Sequence, residues 1–132
     1  MAKDTGPFWR DTLAYAGVWR LDAQDRSRLC FEGSVPDRPA VYAFVIAGRP
    51  VYVGMTGRPV SERLDDFRRG HSAPKTQARV HEEIIAALMA DQEVEIYLHS
   101  FSGGRDFADN AWELRNTLRA AYVPDWNRQQ AA

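Results

Sequence analysis

The sequence predicts a small α/β domain, a three-stranded antiparallel sheet flanked by helices in the order ββααβα. Three observations predict it. Residues 41–46 and 50–54 are short apolar runs rich in β-favouring types, with a tight turn at Gly48 and Arg49 between them. Residues 93–99 alternate, with Val94, Ile96 and Leu98 on one face and Glu93, Glu95, Tyr97 and His99 on the other. The remaining long segments carry apolar residues at helical spacing.

Taken in order, residues 1–38 read as a lead-in, an extension packed on a domain that spans 39–132. Pro7, Phe8, Trp9, Leu13 and Ala16, followed by Gly17, suit a short helix with proline in its first turn and glycine past its end. Trp19, Leu21, Leu29 and Phe31 are expected on the main core, on either side of a charged loop over 22–28. The run 41–46 is apolar at almost every position and reads as a strand covered on both faces. Its hairpin partner sets a parity condition, because the side-chain period of a strand is two. A two-residue loop would turn Tyr42 and Tyr52 to opposite faces. An odd loop, or a bulge, would bring them to the same one.

Pro59 opens the next helix and Gly70 closes it, with Val60, Leu64 and Phe67 as the inward stripe and Arg63 at its edge. Residues 76–89 form a second helix with Val80, Ile84 and Leu88 inward. Ser102 to Gly104 make a turn. Asp106 or Asp109 then caps a last helix over 108–122, with Ala111, Leu114, Leu118 and Ala121 facing the core. Pro124 ends that run, and Trp126 and Asn127 return to the body.

Composition narrows the function classes. The 132 residues, 45% hydrophobic and 27% charged, suit one soluble domain. No apolar run approaches the roughly 18 residues of a membrane span. The N-terminus lacks a secretory core segment, and the single Cys30 cannot form an internal disulfide, so a cytoplasmic protein is expected. Cys30, His71, His81 and His99 are too scattered for a zinc site. Net charge is −1, but residues 58–79 carry a local +3 and residues 82–113 a local −7. Such asymmetry gives one face a field that attracts phosphates, although a solvated helix surface would look the same.

Five residues draw attention together. Singly, Tyr42 and Tyr52 are strand aromatics, Arg63 is a helix arginine with Glu62 and Asp66 nearby, Glu113 complements a helix start and Asn127 sits in a turn. In order, Ala40-Val-Tyr42, Tyr52-Val-Gly54, Thr56, Arg63, Glu113 and a Pro-x-Trp-Asn ending at Asn127 resemble the GIY-YIG nuclease superfamily over about residues 39–128. The resemblance implies metal-assisted hydrolysis of a nucleic-acid phosphodiester. It assigns a divalent cation, magnesium or manganese, to Glu113 and the scissile phosphate to Arg63. Tyr42 and Tyr52 would orient or deprotonate the attacking water, their pKa lowered by Arg63 and the cation, and Asn127 would brace the metal side.

The partner expected on this reading is double-stranded DNA, contacted by Arg58, Arg68, Arg69, Lys75 and Arg79. Guanidinium suits such contacts by its fixed charge and fork of donors. The chain departs from the pattern at Ala40, in a loop one residue longer between Gly54 and Arg63, and at Phe67. A tyrosine or histidine is frequent at the place of Phe67, and His71 is the candidate substitute. These departures keep two other classes open: a weakened nucleic-acid binder and a protein-interaction scaffold. A domain this small reaches few base edges, so a homo-oligomer, with Trp9 and Trp19 at its surface, is one route to specificity.

Overall fold

The computed structural model describes residues 6–70 and 73–127. Its sheet has five strands, not three. β1 (Ala14–Leu21), β2 (Leu29–Gly33), β3 (Ala40–Ile46), β4 (Arg49–Thr56) and β5 (Val94–Ser100) lie in the order β2-β1-β5-β3-β4, antiparallel throughout. The helices are α1 (Gly6–Thr12), α2 (Val60–Arg69), α3 (Lys75–Met89) and α4 (Gly104–Tyr122), followed by a 3₁₀ turn at Asp125–Asn127. The class is α+β, and the three strands expected over residues 39–132 form the β5-β3-β4 side of the sheet.

The two added strands come from the lead-in. Its helix stops at Thr12, and Gly17 lies inside β1 rather than beyond a helix end. The charged segment after β1 is the β1–β2 turn, closed by the Asp22 N–H donating to the Arg28 carbonyl at 2.9 Å. Trp19 and Leu29 are buried on the main core as expected. Trp9 and Trp19 are both fully buried, so they are core residues and offer no dimer surface.

β3 is buried on both faces. On one face Tyr42, Phe44 and Tyr52 pack under α2 and α3, against Val60, Leu64, Phe67, Val80 and Ile84. On the other Val41, Ala43, Val45 and Val53 pack under α1 and α4, against Trp9, Leu13, Ala111 and Leu118. α4 starts earlier than expected and no side chain caps Gly103. Asp106 instead reaches back from the first turn and accepts from the Ser102 N–H at 3.0 Å. Ala121 is exposed, one position off the inward stripe.

The hairpin satisfies the parity condition through a bulge. Ile46 pairs with Arg49 across the two-residue turn Ala47 and Gly48, whose φ angles of 51° and 79° are the positive values a type I′ turn needs. Continued unbroken, that register would send the tyrosines to opposite faces. Val45 pairs with Pro50 but Phe44 pairs with Tyr52, so Val51 is an extra residue. Beyond it Tyr42 lies across from Gly54 and Tyr52 across from Phe44. Both phenols therefore share the α2 side of the sheet.

Candidate functional site

The site is built on the edge strand β4. Tyr42 and Tyr52 stand with ring centroids 6.2 Å apart, and Phe67 of α2 meets Tyr42, Phe44 and Tyr52 edge-on at 5.9, 5.0 and 5.8 Å. Phe67 thus closes the aromatic floor and brings no titratable group. A glycine at 54 is needed here, because a Cβ would come within 2.7 Å of the Tyr42 hydroxyl. Ala40, at the start of the first tripeptide, is fully buried between Thr56 and Ser100.

The two hydroxyls interact with each other, and Arg63 interacts with both. Burial pushes Tyr42 well above the usual phenol value, and the neighbouring Tyr52 adds to this, while Arg63 opposes it. Tyr52 is also raised by burial, against the pull of Arg119, Arg63 and Arg79. Among the chain's own groups, loss of hydration outweighs the nearby guanidinium charge, so Arg63 alone does not lower the tyrosines. In the chain by itself both phenols are protonated at neutral pH.

Arg63 comes from the second turn of α2 with its side chain about a quarter exposed. Its Nε lies 3.6 Å from Asp66 Oδ2, and that buried N–H has no hydrogen-bond acceptor. Asp66 is occupied elsewhere: it takes Arg58 Nη2 at 2.6 Å and also pairs with Arg69. Arg68 and Arg69 pair with Asp65, and Arg58 also with Glu62. Three of the five cations assigned to nucleic acid thus share their charge with acids of the same helix. A groove of about 480 Å³, lined by Arg58, Ser61, Glu62, Asp65, Asp66 and Arg69, lies among these pairs and not over the tyrosines. Lys75 is exposed at the start of α3.

Asn127 has a clear position. Its Oδ1 accepts the Val53 N–H at 2.7 Å and its Nδ2 donates to the Val53 carbonyl at 3.0 Å. The side-chain amide thereby satisfies backbone groups that an edge strand would leave open, next to Tyr52. Arg79 of α3 donates to the Trp126 carbonyl at 3.0 Å, and Arg119 of α4 donates through Nε to the Val53 carbonyl at 3.0 Å. Arg119 escaped the sequence reading. The only signal for it was its place eight residues before Asn127 on the side of α4 that rounds the sheet edge.

Glu113 is exposed on α4 and is not among the groups that act most on Tyr42 or Tyr52. Ala111 is buried against the sheet, and Glu113, two residues on, is about 200° further round the helix and exposed. The residues at the same helix edge as Arg119 include Arg115, an arginine. Among the described residues no group of three or more acids, histidines or cysteines could hold a metal ion. The groups that act most on the two tyrosines are each other and the guanidiniums of Arg63, Arg79 and Arg119, a set without the carboxylate that a cation would need. His71 lies outside the described residues.

No protein-family model matches the chain, and no curated protein matches it. Solved structures do. A mutant of bacteriophage T4 EndoII superposes with a TM-score of 0.67 at 19% identity, over 88% of this chain and 92% of that one. A point mutant of the GIY-YIG N-terminal endonuclease domain of UvrC from Thermotoga maritima, bound to its catalytic divalent cation, gives 0.51 at 25% identity, over 72% and 88%. The restriction endonuclease HPY188I in complex with product DNA gives 0.56 at 14%, over 99% and 95%. The chain has a GIY-YIG-like nuclease fold.

Proposed function

We propose that this chain is an endonuclease that hydrolyses phosphodiester bonds of nucleic acid, DNA in the first instance. The observation that carries the reading is the juxtaposition of Tyr42 and Tyr52 on one face of the sheet with Arg63 of α2 acting on both, assembled from α2, β3 and β4 at one sheet edge. The likeness to nuclease folds, one of them holding product DNA, supports it. Arg63 faces the scissile phosphate and stabilises negative charge as the water oxygen attacks phosphorus, losing a proton to solvent, and the ester oxygen departs, taking a proton from solvent. Tyr52, protonated beside Tyr42, orients that water through its hydroxyl. The products are a phosphate monoester and a hydroxyl. The UvrC domain is bound to its catalytic divalent cation; in this chain the charged groups that act most on the tyrosines are guanidiniums, and Glu113 is exposed on α4.

A second reading, nucleic-acid binding without cleavage, is favoured by the same outward placement of Glu113 and by Phe67 in the aromatic floor. Plasmid nicking separates the two. The wild-type chain should convert supercoiled to open-circular DNA, and Arg63→Ala should lower the rate at least about a hundredfold with an unchanged melting temperature. Equal nicking by Arg63→Ala, or none by the wild type in buffers with and without divalent cations, would remove the hydrolase reading.

A further inference from the structure

Three arginines from three helices converge on the Tyr52 end of the site. Arg79 of α3 is fixed to the Trp126 carbonyl and Arg119 of α4 to the Val53 carbonyl. Asn127, next to Trp126 in the chain, joins those two anchors by its paired hydrogen bonds to Val53. Both guanidiniums therefore flank one point of the edge strand, one residue from Tyr52. Arg63 approaches from α2 and acts on the same hydroxyl.

This convergence is electrostatically incomplete. Arg119 is half-buried, which costs a charged group its hydration. Its neighbour along the helix is Arg115, a like charge at i−4 that destabilises it further, and Arg115 itself donates to the Asn116 side chain. Among the described residues no acid pairs with Arg79, Arg115 or Arg119. The buried Arg63 Nε likewise lacks an acceptor. A phosphate diester supplies what is missing: one negative charge and several acceptor oxygens, matched to forked donors.

We infer that Arg63, Arg79 and Arg119 form a binding site for a nucleic-acid phosphate that works without a divalent cation, guanidinium charge standing where a metal-dependent reading would place an acid-held ion. The inference rests on the nucleic-acid reading above and deepens it.

The test is fluorescence anisotropy of a labelled DNA duplex, in EDTA and in magnesium, with nicking measured in parallel. The wild-type chain should bind in EDTA within about twofold of its affinity in magnesium. Arg119→Gln should weaken binding about ten- to a hundredfold in both buffers. It should also reduce the slope of log affinity against log salt by roughly one. Arg119→Lys should recover part of the loss. Arg26→Gln, which removes the same charge from the exposed β1–β2 turn, should change neither. Binding that appears only with magnesium, an Arg119→Gln chain that binds as wild type while folded, or no binding in either buffer would overturn the inference. Nicking that requires magnesium and tolerates Arg119→Gln would sink this inference and leave the hydrolase standing. Tight binding in EDTA without nicking would do the reverse.

Discussion

Replacing Gly54 by alanine tests the packing on which the tyrosine pair depends. The new Cβ would lie 2.7 Å from the Tyr42 hydroxyl, 2.8 Å from its Cζ and 3.1 Å from Tyr52 Cε2. Ordinary carbon contacts begin near 3.5 Å, so Tyr42 has to move by roughly 0.7 Å. It has little room, being fully buried and boxed in by Phe44, Tyr52 and Phe67. Overpacking of this kind costs about 1–3 kcal/mol. For a chain of this length each kcal/mol is worth about 3–4 °C, so the melting temperature should fall by roughly 3–12 °C. Thermal denaturation followed by circular dichroism reads this directly. The same shift pulls the hydroxyl from Arg63, so nicking should fall as well. In a Tyr42→Leu background the added methyl has room, and Gly54→Ala should then cost under about 0.5 kcal/mol. An equal cost in both backgrounds, or none in the wild type, would refute the claim that Tyr42 occupies the space over Gly54.

Two further outcomes follow from the same geometry. Asn127→Ala removes both hydrogen bonds to Val53 and should destabilise by about 1–3 kcal/mol in urea, with faster amide exchange at Val53; protection left intact at Val53 would contradict the edge-bracing role. Tyr42 and Tyr52 have folded pKa values raised by burial. Their contribution is therefore complete below the unfolded value near 10 and is lost as pH climbs toward the folded one. Stability should fall at up to about 1.4 kcal/mol per pH unit for each retained proton, and Tyr42→Phe should flatten urea-unfolding free energies between mildly and strongly alkaline pH. An unchanged slope would deny its burial.

What the sequence made legible was the part governed by strict periods. The β3 run, the α2 stripe of Val60, Leu64 and Phe67 and the inward face of β5 are all where alternation or helical spacing put them. The lead-in misled because Pro7, Trp9, Leu13 and Ala16 fit a helix that tertiary pairing cuts short. Gly17 and Gly33 face each other in the β1–β2 ladder, so close that a Cβ on Gly17 would meet the Glu32 carbonyl at 2.2 Å. Sequence spacing cannot display that approach between strands. The bulge at Val51 was legible only as a condition, since the loop count alone left the tyrosines' faces open.

The two halves of the site differ in the same way. Tyr42, Tyr52 and Asn127 act through a strand and its edge, where alternation and one amide pairing fix their direction. Glu113 and Arg119 act through a helix, where an error of two residues turns a side chain by about 200°. An acid in the right order along the chain was therefore weak support for an acid in the site, and the arginines at the strand-facing edge of α4 were hidden by the same ambiguity. Phase on α4, rather than the order of residue types, decides which charge meets the β4 edge: Arg119 reaches the Val53 carbonyl, Arg115 lies one turn before it, and Glu113 is exposed about 120° round the helix from Arg119.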